Sequence, residues 1–250
     1  MSETDKHPKS RERGYRTISP DKGEHAFQVV VEETDLWVVA RADLRDQIAA
    51  CVHELRGIIK AHIAFRPDFL NSMVPLEPPP GIHPLIAGMY KASAVTGVGP
   101  MAGVAGTIAQ AVADRFKDQS PEILVENGGD LYLHSARERV VAILSDPSGP
   151  AGLGVRLASE DFPLSLCSSS AKIGHSVSLG KGDLAVAGAR NGAFADCAAT
   201  ALCNMLQGPD DLKRAMDRAA SLRRQGLIFA FAQCAGKIAV WGELELAALE

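Results

Sequence analysis

The pattern of apolar and polar positions predicts strands at the start of the chain, followed by a long helix. Short β-branched runs in "HAFQVVVEETDLWVVAR" predict a β-hairpin over 25–41. Residues 43–63 carry apolar side chains at helical spacing, so we predict an amphipathic helix with Asp43 as its N-cap. Repeated prolines in 66–84 then predict an ordered surface loop.

The second part of the pattern groups more helices between further strands. Residues 85–116 predict a helical region that is interrupted at "TGVGP". Short strands follow over 122–169 and 183–190, and a helix is predicted over 191–208, with Gly208 as its stop signal. An amphipathic helix and a hairpin complete the pattern over 210–244. Strands in runs with helices grouped between them indicate an α+β fold of mainly antiparallel strands with packed helices.

We find neither an internal repeat nor a composition shift that would mark a domain boundary. The sequence therefore predicts a single domain over 16–250, preceded by a polar tail over 1–15. Two glycines after the helical break, Gly103 and Gly106, recur among small residues up to Asp114. Such spacing permits close approach of either another backbone or a ligand, and both alternatives stay open.

Composition and charge narrow the classes of function. The chain has 250 residues, 46% of them hydrophobic and 22% charged, which is ordinary for a soluble globular protein. A net charge of −4 and a pI near 6.0 do not indicate the basic surface that nucleic-acid binding requires. The polar tail does not resemble a secretory signal, and no run of eighteen apolar residues predicts a membrane span. We therefore expect a cytoplasmic protein.

The five cysteines lack CxxC spacing and indicate neither a disulfide framework nor a zinc site. Cys167, beside the serine run of "LSLCSSS", is the one candidate for thiol reactivity, and an inert buried thiol is the alternative. The histidines His53, His62, His83 and His134 form no HxxxH or HxH pair, which argues against a transition-metal site. Walker-type and GxSxG motifs are missing from the sequence.

The stretch "ENGGDLY" places Asn127, Gly128, Gly129 and Asp130 between two predicted strands. A plain hairpin explains it, because Asn and Gly accept the positive φ of a tight turn. A ligand site also explains it, because glycine leaves a bare backbone that a flat or phosphorylated ligand can approach closely.

Two further groups of polar residues are candidates for chemistry. Asp196 and Thr200 lie four positions apart on a predicted helix, so a carboxylate and a hydroxyl share one face and could bind magnesium. The alternative is a helix-capping Asp with a packed Thr. The second group is Ser168, Ser169 and Ser170 with His175 shortly after, which could bind an anion and act as general acid or base, or form an ordinary turn.

The order of these motifs is more informative than any one of them. "GVGPMAGVAGTIAQAVAD", "ENGGDLY", "LCSSS" with His175, and "ADCAATALCNML" together resemble the ApbE-like superfamily over residues 85–207. Its best-known members are magnesium-dependent flavin transferases, and the whole chain looks most like the uncharacterised cytoplasmic branch. The resemblance implies an ApbE-like, T-fold-like architecture, with FAD as substrate or ligand and a possible protein acceptor for the FMN part.

The resemblance also implies roles for individual positions. Asn127, Gly128, Gly129 and Asp130 would line the flavin-nucleotide site together with the three serines. Asp196 and Thr200 would be magnesium ligands, and His175 would lie near the transferred phosphoryl group.

The chain departs from the superfamily pattern at the phosphate end. "GHSVSLGKGD" lacks the Asp-Pro and Thr-Gly of "H-I-x-D-P-x-T-G", and "GVAGTIAQAVAD" has no cation where the "KG-x-x-x-D" lysine would stand. Three hypotheses follow. The chain is a flavin-nucleotide enzyme that transfers FMN or cleaves the FAD pyrophosphate, it is a nucleotide or other small-molecule binding protein without transfer, or it uses Cys167 in redox or sulfur chemistry.

Overall fold

A computed structural model describes residues 22–143, 152–171 and 180–248, and it shows three layers. Helices cover one face of an eight-stranded sheet, and a three-stranded sheet covers the other. All the paired strands are antiparallel neighbours. The predicted fold class is therefore confirmed: a single α+β domain of mainly antiparallel strands with packed helices.

The larger sheet has the order β1-β2-β3-β4-β7-β8-β9-β10, and the smaller has the order β11-β6-β5. Each strand alternates its side chains between the two faces of its sheet. The strands are β1 (His25–Val31), β2 (Thr34–Ala40), β3 (Ile123–Asn127), β4 (Asp130–His134), β5 (Arg139–Ile143), β6 (Leu153–Leu157), β7 (Leu164–Ser169), β8 (Leu184–Ala189), β9 (Leu227–Cys234), β10 (Lys237–Gly242) and β11 (Glu245–Ala248).

The helices pack on the face of the larger sheet that lies away from the smaller one. They are α1 (Arg45–Phe65), α2 (Asp68–Asn71), α3 (Pro84–Thr96), α4 (Val104–Phe116), α5 (Gly192–Met205) and α6 (Leu212–Ser221), with a 3₁₀ turn over Pro100–Gly103. Alternation decides which layer each strand residue joins. On β3, for example, Val125 packs under the helices while Leu124 packs between the sheets.

Two helix boundaries differ from the sequence prediction. Leu44, not Asp43, is the N-cap of α1, and the Asp43 carboxylate instead accepts a hydrogen bond from the Arg45 N–H at 3.1 Å. The helix α5 ends at Met205, before Gly208, with Leu206 as C-cap. The observed caps lie one residue from Asp43 and two residues from Gly208, an offset that is ordinary at fraying helix ends.

Among the described residues, no single helix is long and apolar enough to cross a membrane. The segments 84–96 and 100–116 meet the length and composition criteria only as a pair, and that pair is bent by 110°.

Candidate functional site

The glycine turn forms the hairpin that the sequence predicts. Asn127 ends β3, Asp130 begins β4, and the two residues pair across the turn. Gly128 and Gly129 have φ angles of 69° and 106°, the left-handed region that favours glycine. The space around the position of a Gly128 Cβ is open, so a ligand can approach this backbone closely. The hairpin and ligand-site interpretations are therefore compatible.

A cavity of about 1370 Å³ surrounds this turn. It extends from the helix layer, around the end of the larger sheet, to the space between the two sheets. Its polar lining near the turn includes Glu126, Asn127, Asp130, Ser168, Ser170, Asp196, Thr200 and Asn204.

Asp196 lies in the second turn of α5 and is buried, with a 6% exposed fraction. Asn191 caps this helix by accepting from the Phe194 N–H at 2.9 Å, so Asp196 is not the cap of its own helix. Its Oδ2 instead accepts from the Gly106 N–H at 2.9 Å, in the first turn of α4. Unsatisfied amides and the helix dipole at an N-terminus favour a carboxylate there.

Close packing between α4 and α5 makes this contact possible. A Cβ at Gly106 would lie 2.3 Å from the Gly192 carbonyl oxygen, and one at Gly103 would lie 2.9 Å from the Cys197 Sγ. The two glycines therefore contact a neighbouring helix. Of the two open alternatives, these contacts favour packing against another backbone, and that backbone belongs to α5.

Asp130 is the second buried carboxylate, with a 7% exposed fraction. Its Oδ1 accepts from the Ser168 N–H at 3.2 Å. Burial raises the pKa of Asp130 to about 7. Burial and the nearby Asp130 charge also raise the pKa of Asp196 well above its ordinary range. Asp130 and Asp196 therefore form an acidic pair. Ionising both carboxyl groups costs free energy unless a cation neutralises them.

The donors present fit a magnesium ion that keeps part of its water shell. The described residues contain no group of three or more His, Cys, Asp and Glu side chains arranged to hold a metal. Two carboxylates and the Thr200 hydroxyl, one turn beyond Asp196 on α5, are hard oxygen donors. Magnesium prefers such ligands and commonly completes its octahedron with waters and substrate phosphates.

The serine run divides between the two faces of β7. Ser168 and Ser170 line the cavity; the Ser168 Oγ donates to the Gly129 carbonyl at 3.0 Å, and the Ser170 Oγ donates to the Asp183 carbonyl at 2.6 Å. Ser169, the third serine of the predicted site, does not line the cavity in the described part of the chain. Alternation directs it to the opposite face, where its Oγ is buried without a partner in the described part of the chain.

His175 lies outside the described residues, so its predicted catalytic role stays a prediction. Cys167 is fully buried on β7, with its Sγ 3.2 Å from the Ser165 Oγ. Burial raises the pKa of the Cys167 thiol well above its ordinary value. Because the thiolate is the reactive form, this environment favours the inert alternative.

Several cavity residues were missing from the sequence prediction. Glu126 directly precedes the predicted turn, and its Oε1 accepts from the Gly129 N–H at 2.9 Å. Asn204 continues the helical spacing of Asp196 and Thr200 by one more turn, a signal that was available in the sequence. Arg56 and Lys60 also line the cavity, and both pair with Glu32. Only the tertiary fold brings these cations to the cavity.

Comparison with known proteins places this architecture in a family. Residues 16–240 match the family model described as "AbpE bacteria". A UPF0280 protein of Methanopyrus kandleri is 36% identical over 199 residues, which cover 78% of this chain and 79% of that protein.

Solved structures share the fold at low identity. A variant of the flavin transferase ApbE from Vibrio cholerae aligns with a TM-score of 0.56 and 11% identity, covering 87% of this chain and 96% of that one. The flavinyl transferase ApbE of Pseudomonas stutzeri, in its apo form, aligns with a TM-score of 0.52 and 14% identity, covering 87% and 93%. We conclude from the family match, the archaeal relative and the shared fold that the chain belongs to the bacterial AbpE protein family, within the ApbE-like superfamily.

Proposed function

We propose that the chain binds a flavin nucleotide and, with magnesium, cleaves the FAD pyrophosphate or transfers its FMN part to an acceptor hydroxyl. One observation carries this proposal: Asp130 and Asp196 are buried as an acidic pair beside a bare glycine turn, in one large cavity. A pyrophosphate complexed with a divalent cation matches both the charge of the pair and the open backbone.

The chain itself positions the ligands for such a cation. The amide of Gly106 fixes one oxygen of Asp196, and the amide of Ser168 fixes one oxygen of Asp130. Thr200 follows on the same face of α5. Magnesium, when bound, would neutralise charge on the pyrophosphate and on the leaving phosphate oxygen.

The glycine turn provides the surface for the phosphates. Gly128 has open space where a side chain would stand, and the Asn127 Nδ2 donates to the Ala105 carbonyl at 3.2 Å, which joins the turn to α4. This bond fixes the turn relative to α4, the helix whose Gly106 N–H donates to Asp196. The phosphate surface and the carboxylate pair are therefore parts of one rigid unit.

The second candidate function is ligand binding without phosphoryl transfer. The Lys and Arg side chains of the cavity favour this candidate. Among the described cavity residues, Arg56 and Lys60 are the only Lys or Arg side chains, and both are paired with the Glu32 carboxylate. Ala109 and its neighbours on α4 carry no cation where the superfamily lysine would stand. Positive charge near the phosphates stabilises the transition state of phosphoryl transfer, so a site with fewer cations there provides less of this stabilisation.

Product analysis separates the two candidates. The purified chain is incubated with FAD, with and without magnesium, and FMN and AMP are quantified by chromatography. Magnesium-dependent product from the wild-type chain, lost in Asp196→Asn, supports the enzyme. Saturable FAD binding without product, even at high protein concentration, supports the binding protein. Glu33→Gln is the matched control, because it removes an exposed carboxylate at the cavity mouth without touching the acidic pair.

A further inference from the structure

A second hydrogen bond joins α4 to α5, one helical turn away from the bond between Gly106 and Asp196. The backbone N–H of Gly192, the first residue of α5, donates to the Gln110 Oε1 at 2.7 Å. Gln110 follows Gly106 by one turn of α4. In the same way, Asp196 follows Gly192 by one turn of α5. Each helix therefore donates an amide to a side chain of the other, and the two bonds form a reciprocal pair across the crossing.

The backbones of α4 and α5 are in direct contact where the Gln110 side chain crosses between them. A Cβ at Gly192 would lie 2.3 Å from the Gly106 carbonyl oxygen and 3.1 Å from the Gln110 Cβ. The Gly192 N–H belongs to the first turn of α5, where an amide has no partner within its own helix. The Gln110 oxygen satisfies this amide, as the Asn191 side chain satisfies the Phe194 N–H.

The other end of the Gln110 amide is held as well. Its Nε2 donates to the Asp114 Oδ2 and to the Tyr132 hydroxyl, both at 3.3 Å. The Tyr132 hydroxyl in turn donates to the Arg190 carbonyl at 3.2 Å. Arg190 directly precedes the Asn191 cap of α5. Gln110 and Tyr132 together therefore hold the segment that enters α5.

The two carboxylates of the acidic pair belong to elements that meet at this crossing. Asp130 follows the glycine turn, which the Asn127 Nδ2 joins to the Ala105 carbonyl at 3.2 Å, and α4 packs on β3 and β4. Asp196 lies on α5. The separation of the two carboxylates therefore depends on how α5 packs against α4. Gln110 contributes to this packing, although it does not line the described part of the cavity.

We propose that Gln110 is a positioning residue that holds the first turn of α5 against α4, and thereby sets the separation of Asp130 and Asp196 and the size of the cation they accept. This inference rests on the proposed function, under which the cation is magnesium. Magnesium binds oxygen ligands at about 2.0–2.1 Å and calcium at about 2.3–2.6 Å. A wider pair therefore loses affinity for magnesium more than affinity for calcium.

The ratio of two cation affinities tests this role. Calorimetry measures how FAD affinity rises with magnesium and, separately, with calcium, which gives a half-saturating concentration of each ion for the wild-type chain and for Gln110→Met. Methionine keeps the side-chain length but is a poor acceptor for the Gly192 N–H, so α5 is expected to move away from α4. The half-saturating magnesium concentration should rise about tenfold or more, and that of calcium by a smaller factor.

Two control variants separate positioning from a loss of stability. Gln110→Glu keeps an oxygen acceptor for the Gly192 N–H, and its added charge acts on both ions alike, so the wild-type ratio is expected. Ser120→Ala removes a buried hydroxyl that accepts from the Arg41 N–H at 2.8 Å and donates to the Glu122 carbonyl at 2.6 Å. This change destabilises the chain away from the crossing, and it should leave both half-saturating concentrations unchanged.

A milder variant tests the same contact if Gln110→Met does not fold. Tyr132→Phe removes the hydrogen bond to the Arg190 carbonyl and one partner of the Gln110 amide. It is expected to shift the ratio in the same direction by a smaller factor.

Two results overturn the inference in distinguishable ways. If magnesium tightens FAD binding to the wild-type chain but the folded variant keeps the wild-type ratio, or shifts it towards magnesium, Gln110 does not set the separation and the proposed function stands. If neither ion changes FAD binding to the wild-type chain, the proposed cation site fails and the inference fails with it.

Discussion

The backbone N–H of Gly106 donates a 2.9 Å hydrogen bond to the Oδ2 of Asp196, two residues that are ninety positions apart. The bond spans the crossing of α4 and α5, where a side chain on Gly106 would overlap the Gly192 carbonyl. It directs the positive end of one helix at a carboxylate of the other. The glycine-containing helix and the Asp-containing helix therefore form one site, although neither motif predicts the contact alone.

Gly106→Ala is expected to separate the two helices. The new methyl would lie 2.3 Å from the Gly192 oxygen and 3.0 Å from the Asp196 Cβ. Overpacking of this kind destabilises by about 1–3 kcal/mol, and here it also moves the carboxylate that we propose as a metal ligand. The stability measured by urea unfolding and the magnesium-dependent affinity for FAD are both expected to decrease.

The control for this change is Gly57→Ala on α1. Gly57 is exposed, and a Cβ there would have no neighbour within 4 Å. Replacing a helical glycine by alanine stabilises by about 0.5–1 kcal/mol. A Gly106→Ala protein as stable as the wild type, with unchanged FAD affinity, would show that the tight crossing is not needed.

The acidic pair predicts how stability depends on pH. The folded-state pKa of Asp130, about 7, lies above the ordinary value of 3.8, so the folded chain binds more protons than the unfolded chain between these values. The free energy of unfolding contributed by this group therefore falls as pH rises from about 4 to about 7. Asp130→Asn mimics the protonated form and removes this contribution.

Urea unfolding at pH 5 and pH 7.5 measures this difference in the absence of divalent cations. The wild-type chain is expected to lose more stability than Asp130→Asn between the two pH values. Equal losses in the two proteins would mean that Asp130 titrates near its ordinary pKa. Saturating magnesium should reduce the loss in the wild type, because a bound cation stabilises the ionised pair.

A buried ion-pair network predicts a large stability effect far from the cavity. The Arg139 guanidinium contacts Glu24 at 2.5 Å and Glu122 at 2.8 Å, and all three side chains are at most 7% exposed. Arg139→Ala leaves two buried carboxylates without this partner, which is expected to destabilise by about 3–5 kcal/mol. Chemical denaturation measures the effect.

Arg156→Ala is the comparison for that experiment. Arg156 contacts Glu245 at 2.9 Å, but its side chain is 38% exposed and that of Glu245 is 69% exposed. Exposed pairs contribute about 0–1 kcal/mol, so little loss is expected. Similar effects of the two substitutions would contradict the distinction between the buried network and the surface pair.

The cysteines are expected to be unreactive in the folded chain. All five are buried, and burial raises the pKa of Cys167 and Cys197 well above the ordinary value. A thiol reagent such as dithionitrobenzoate should label none of them rapidly under native conditions and all five in denaturant. Rapid native labelling of Cys167 would restore the redox hypothesis.

Local patterns predicted the elements of this fold, because β-branched runs and helical spacing report directly on which face is buried. The break at "TGVGP" and the hairpin at "ENGGDLY" were predicted because glycine and proline restrict or free the backbone at single positions. The small sheet was not foreseen as a separate layer. Its strand β11 is only four residues long and pairs with β6, which lies far earlier in the chain: Glu245 is opposite Arg156 and Ala248 is opposite Leu153.

The candidate site was predictable in part for a similar reason. Asp196 and Thr200 share a helix, so their spacing alone predicts a common face. The approach of Asp130 to Asp196 depends on the order of strands in the sheet and on the packing of α5, which no local pattern encodes. A run of three serines hides the alternation of β7, which directs Ser169 to the face that does not line the cavity.

The most direct test of the central claim is calorimetric titration of FAD into the wild-type chain and into Asp196→Asn, each with and without magnesium. Our account predicts that magnesium tightens FAD binding to the wild type by about tenfold or more, and that the substitution abolishes this gain. Equal FAD affinity with and without magnesium in the wild-type chain would contradict the claim that the buried carboxylates hold a cation for a nucleotide.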